Sequence, residues 1–138
     1  MIPLFKVYMD KNAHKEVKKV LNSGFIGQGP KVEEFESELR EYFGTDFVST
    51  VNAATSAEHL ALHQLKTPIM ETFDGCAQRE IWPGMEDGDE VLTTPLTCTA
   101  TNWPILANNL NIKWVDVDKK TLNMDLEDLE RKITKKTK

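Results

Sequence analysis

The stretch Val51-Asn52-Ala53-Ala54-Thr55-Ser56-Ala57-Glu58 constrains this chain more than any other. Phe47, Val48 and Val51 before it form a short β-prone run, and Leu60, Ala61 and Leu62 after it belong to a stretch rich in Ala and Leu. A strand is therefore expected to pass through small residues directly into a helix, with Thr55 or Ser56 as N-cap. The first N–H groups of a helix have no partner within it, and the positive end of its dipole favours an anion by roughly 0.3–1 kcal/mol. Small side chains at Ala53 and Ala54 leave that backbone open to a phosphate. Capping alone also accounts for the two hydroxyls, and capping requires no ligand.

With 138 residues the chain fits one domain by length, and 40% hydrophobic content supports a modest core. The net charge of -5 argues against nucleic acid or an anionic membrane as main partner, since both select for surplus Lys and Arg. The longest apolar runs, such as 103–107, fall far short of the roughly 20 residues that a bilayer requires. Residues 1–15 lack a signal-peptide arrangement, so a cytoplasmic protein that binds something small is expected. Cys76 and Cys98 have no metal-like spacing, and two cysteines make no disulfide scaffold, so both are read as reduced thiols. His59 and His63 stand four apart on the expected helix, but no third ligand accompanies them and no metal is expected.

Periodicity separates the remaining elements. Val17, Val20 and Leu21 recur at helical spacing before Gly24, and Pro30 opens a second helix whose apolar face is Val32, Phe35, Leu39 and Phe43, closed by Gly44. Strands are expected at 47–51, at 90–93 after the turn Asp87-Gly88-Asp89, and at 112–117. A helix is expected within 100–108 despite Pro104, and a last one after Asp125 as N-cap with Leu126, Leu129 and Ile133 inward. Strands alternating with helices in this order indicate a parallel sheet with crossover helices. Residues 66–87 interrupt the regularity and are too long for a routine connection. They are read as an insertion loop, part of which packs through Met70, Phe73, Trp82 and Met85.

Four pieces in order carry a family resemblance: Ser23-Gly24-Phe25-Ile26-Gly27-Gln28-Gly29-Pro30, then VNAATSAEHLAL at 51–62, then Gly88-Asp89-Glu90-Val91-Leu92 with Pro95-Leu96-Thr97, then Val115-Asp116-Val117-Asp118. Together they resemble the DegT/DnrJ/EryC1/StrS sugar aminotransferases. That resemblance implies pyridoxal phosphate as cofactor, the aspartate aminotransferase fold, and transfer of an amino group, usually from glutamate, to a nucleotide-linked keto sugar. It implies an α/β fold in which residues 1–138 are the N-terminal fragment of the large cofactor-binding domain, with three strands alternating with helices, an incomplete sheet and an insertion at 66–87. Ala54, Thr55 and Ser56 would then meet the cofactor phosphate. Cys98 would occupy the place of an aromatic residue that stacks on the pyridine ring, which it covers less fully. Gln28 would help shape the substrate pocket.

The same resemblance puts the family's lysine, and the acidic partner of the pyridine nitrogen, beyond Lys138. Lys132, Lys135, Lys136 and Lys138 do not match that position, so no residue of this chain is expected to be catalytic. The uncovered strand edges of such a fragment lead one to expect a homo-oligomer or a partly rearranged sheet. Two other readings stay open: a sugar dehydratase relative in which another residue replaces the lysine, and a non-catalytic interaction module or defunct truncated product.

Overall fold

The computed structural model describes residues 5–73 and 77–138, and the chain divides into two units, one up to Thr50 and one from Val51 onward. In the first, α1 (Ala13–Ser23) closes at Gly24, φ 80°, and α2 (Pro30–Phe43) starts on its proline and closes at Gly44, φ 64°. Proline's fixed φ and missing N–H suit a first turn, and glycine takes the left-handed closing conformation without a Cβ penalty. Both helices fall where the periodicity sets them, but their apolar faces are not buried. Val17, Leu21, Phe35 and Phe43 are exposed, while Val20, Val32 and Leu39 are half-buried.

Glu36 is buried in this unit. Its carboxylate accepts the Thr50 N–H at 2.7 Å and the Thr50 hydroxyl at 2.8 Å, and the Arg40 guanidinium lies 4.0 Å away. Those bonds, the Thr50 N–H foremost, hold the Glu36 carboxyl below the usual carboxylate range and tie Thr50 to α2. The strand expected at 47–51 does not form. A strand exists through the hydrogen bonds of a neighbour, and no described strand pairs with this segment.

The second unit runs α3 (Ala54–Gln64), β1 (Ile69–Phe73), β2 (Ala77–Trp82), β3 (Glu90–Thr93), α4 (Thr99–Ala107), β4 (Asn111–Trp114) and α5 (Leu126–Lys132). β1 and β2 pair antiparallel, with Ile69 opposite Trp82, Glu71 opposite Arg79 and an irregularity after Ile69. Two strands thus occupy much of the segment read as a loop, where mixed charges hid the β pattern. Cys76 lies outside the described residues. β3 and β4 pair in parallel from Glu90–Asn111 to Thr93–Trp114, with α4 as the crossover that parallel pairing requires. β3 has the expected bounds. β4 stops short of the expected 112–117, and Val117 instead bridges Met124.

On the other edge of β3 only Glu90 is engaged among the described residues: its N–H donates to the Lys136 carbonyl at 2.8 Å, and the Lys138 N–H donates to its carbonyl at 3.2 Å. The fold is α/β with short, incomplete sheets, as expected; of the three strands foreseen two form, as β3 and β4, and β1 and β2 are additional. Met85, Ile105 and Leu110 form the core, with Leu62, Trp82, Val91 and Ile112 packed against them. The chain after β2 is tied to the end of α3, because the Met85 N–H and the Trp82 indole N–H both donate to the Leu65 carbonyl, at 2.9 and 2.7 Å.

Asp125 caps α5 as expected, accepting from the N–H groups of Glu127 and Asp128 at 2.9 and 3.2 Å. Leu129 is half-buried, but Leu126 and Ile133 are exposed rather than inward. The buried contact of this helix is ionic instead. Asp128 accepts the Asp116 N–H at 2.7 Å, Arg131 at 2.5 Å and Lys132 at 2.8 Å, and these donors hold its carboxyl far below the usual range.

Candidate functional site

Thr55 and Ser56 do not cap α3. Ala53, extended at φ -158° and ψ 153°, is the N-cap and offers no side-chain oxygen, so the helix begins at Ala54 and both hydroxyl residues lie in its first turn. The Ser56 N–H donates to the Ala53 carbonyl at 3.0 Å and its hydroxyl to Asn52 Oδ1 at 2.8 Å. Among the described residues nothing accepts from the N–H groups of Ala54 and Thr55. An alanine at the cap thus leaves open the Thr55 N–H that a capping serine or threonine could have filled.

Those donors stand beside a groove of about 580 Å³. Thr55 lines it from α3, Pro95 and Thr97 from the loop after β3, Thr99, Ala100, Asn102, Trp103 and Leu106 from α4, and Ile112 and Trp114 from β4. Asn102 holds the loop in place. Its Oδ1 accepts the Thr93 hydroxyl at 2.8 Å, while the Thr97 hydroxyl donates to Thr101 at 3.2 Å. Three hydroxyls and a carboxamide thus share one groove with two indoles and aliphatic surface. Open N–H groups and hydroxyls suit a phosphate, and the apolar wall suits a flat ring.

The groove brings Thr55 together with the Pro95-Leu96-Thr97 segment, 40 residues away in the chain. Cys98 is exposed at the N-cap of α4, between two lining residues but outside the lining itself. Ala54 and Ser56 flank Thr55 without lining the groove. Gln28 belongs to the first unit, where its neighbours Gly27 and Gly29 line a separate groove. His59 and His63 serve packing: His63 Nδ1 lies 3.3 Å from Asn108 Oδ1, and the Asn108 amide donates to the carbonyls of His59 at 3.1 Å and Pro104 at 2.9 Å.

Sequence reasoning missed Asn102, Trp103 and Trp114. The available signal was that two of the three tryptophans flank one helix–strand junction. Among the described residues no lysine lines the groove, and Lys132 is engaged by Asp128 and by the Trp114 carbonyl at 2.7 Å.

A parallel strand–helix–strand unit with α4 as its crossover defines an α/β class of protein. The chain belongs to the DegT/DnrJ/EryC1/StrS aminotransferase family, whose profile matches residues 7–138. Among solved structures it is similar to AtS13 from Actinomadura melliaura, at 48% identity and TM-score 0.77, over 100% of this chain and 32% of that one. It is similar to the sugar aminotransferase CalS13 from Micromonospora echinospora, at 45% identity and TM-score 0.74, over 99% of this chain and 32% of that one. A third similar structure is the GDP-4-keto-6-deoxy-D-mannose-3-dehydratase of Escherichia coli with bound hydrated PLP, at 27% identity and TM-score 0.75, again over 99% and 32%. The chain spans about a third of the length of the curated relatives it matches, 31–32%.

Proposed function

We propose that this chain supplies one wall of the pyridoxal-phosphate site of an aminotransferase that moves an amino group, from glutamate, to a nucleotide-linked keto sugar. The observation that carries this reading is the groove in which Thr55, beside the open N–H groups of α3, meets Thr97 and Thr99. The N–H groups of Ala54 and Thr55 and the Thr55 hydroxyl would hold the phosphate, with Ser56 alongside. Cys98 would offer its polarisable sulfur to the ring face, and Gln28 would contribute to the sugar pocket. When bound, the cofactor supplies the electron sink that amino transfer requires.

The donor set suits a phosphate on an aromatic ring, and with no lysine lining the groove among the described residues this wall would bind and orient without performing the transfer. Residues 1–138 would form part of the large cofactor-binding domain, with 66–87 inserted in it, in a cytoplasmic homo-oligomer. The similarity to a dehydratase keeps a second reading, in which the same wall holds the same cofactor for sugar dehydration.

Titration of the purified chain with pyridoxal phosphate, read by cofactor absorbance and by quenching of Trp103 and Trp114, tests the site. Thr55→Ala should weaken binding about tenfold or more, the scale of one hydrogen bond to a charged group. Absence of binding at millimolar cofactor, or unchanged affinity in Thr55→Ala, overturns the assignment. Transamination by the chain alone would contradict a role confined to binding.

A further inference from the structure

The loop between β3 and α4, residues 94–98, brings Thr97 to the groove and Cys98 beside it, yet its own main chain does little to hold it there. Among the described residues, 94–97 make no hydrogen bond from main chain to main chain. Burial does not fix the loop either, since its one large apolar side chain, Leu96, is 56% exposed. Its order comes from side chains. The firm bond is that of the Thr93 hydroxyl to Asn102 Oδ1 at 2.8 Å, while the Asn102 amide adds a weak one to the Thr94 carbonyl at 3.5 Å and the Thr97 hydroxyl one to Thr101 at 3.2 Å. Thr93 is itself fixed, because it pairs with Trp114 in the parallel ladder and its carbonyl accepts the Val115 N–H at 2.8 Å. Asn102 therefore ties the first turn of α4 to the end of the sheet and fixes both ends of the loop between them.

Among the described residues Asn102 makes no hydrogen bond to α3, the helix that presents Thr55. The two sides of the groove thus have separate supports. We propose that Asn102 is a positioning residue: by holding the Thr93 hydroxyl it sets where Thr97 and Cys98 stand, and so governs affinity for the cofactor ring, while Thr55 governs affinity for the phosphate. This rests on the cofactor reading above, so its test separates the two ligand parts and includes a measurement that needs no ligand.

Backbone order parameters from nuclear magnetic resonance, and titrations with pyridoxal phosphate and with inorganic phosphate, test it. Asn102→Ala and Thr93→Val should each lower the order parameters of Leu96, Thr97 and Cys98 to about 0.6 or below while β4 and α5 keep theirs. Thr93→Ser, which retains the hydroxyl, should behave like the unaltered chain. Asn102→Ala should weaken pyridoxal phosphate about tenfold and leave inorganic phosphate unchanged, whereas Thr55→Ala should weaken both. Thr93→Val combined with Asn102→Ala should be no worse than Asn102→Ala alone, since the two groups act through one bond. Loop order unchanged by both substitutions, or an affinity loss in Asn102→Ala shared equally by the two ligands, overturns the proposal. Binding that Thr55→Ala weakens and Asn102→Ala does not overturns it alone and leaves the cofactor reading standing, while absence of binding by the unaltered chain overturns both.

Discussion

Replacing Gly84 by alanine tests how the second unit is held together. Gly84 has φ +86°, and a Cβ there would stand 2.5 Å from the Lys66 carbonyl oxygen and 3.1 Å from its carbon. The left-handed backbone alone costs an alanine about 1–2 kcal/mol. A contact at 2.5 Å with main chain cannot be relieved by turning a side chain, and overpacking of this kind adds about 1–3 kcal/mol. Gly88 separates the two contributions. It also has positive φ, +88°, but its Cβ would meet only Asn111 Nδ2, at 3.7 Å. Gly84→Ala should therefore lose about 2–5 kcal/mol and Gly88→Ala about 1–2 kcal/mol. Urea titrations followed by circular dichroism and tryptophan fluorescence measure both as shifts in midpoint at constant slope. Equal losses in the two variants, or a Gly84→Ala loss below about 0.5 kcal/mol, would refute the close approach of the chain after β2 to the end of α3.

The Asp128 carboxyl is held below its usual range chiefly by the Asp116 N–H, then by Lys132 and Arg131, so its contribution is complete above the unfolded aspartate value of about 4 and is lost as pH falls toward its folded value. Asp128→Asn should flatten the decline in urea midpoint below pH 4, and an unchanged slope would sink that account. Cys98→Trp should leave pyridoxal-phosphate binding intact or tighten it by covering more of the ring, and a steric loss of cofactor absorbance would remove Cys98 from the site.

Legibility in the sequence followed whether an element carries its own boundary signals. Gly24, Pro30, Gly44 and Asp125 act through backbone geometry or a local hydrogen bond, so α1, α2 and the start of α5 stood where these residues set them. Strands depend on partners. Residues 90–93 found β4, whereas 47–51, with the same β-prone chemistry, found no described neighbour. Burial was the least legible property: Phe35 and Phe43 sit at core-facing spacing but remain exposed, and the buried carboxylates Glu36 and Asp128 gave no warning. At the groove, Thr55 was visible because a helix start is local. Asn102, Trp103 and Trp114 were not, because only the β3–α4–β4 crossover brings them to it.

Asn108 is 3% exposed, and its single carboxamide bonds the His59 carbonyl of α3, the Pro104 carbonyl of α4 and the His63 ring. The groove is lined by the same two helices, from Thr55 of α3 and from Thr99 to Leu106 along α4. One side chain therefore sets the spacing of α3 and α4, and with it the width of the groove that both helices line.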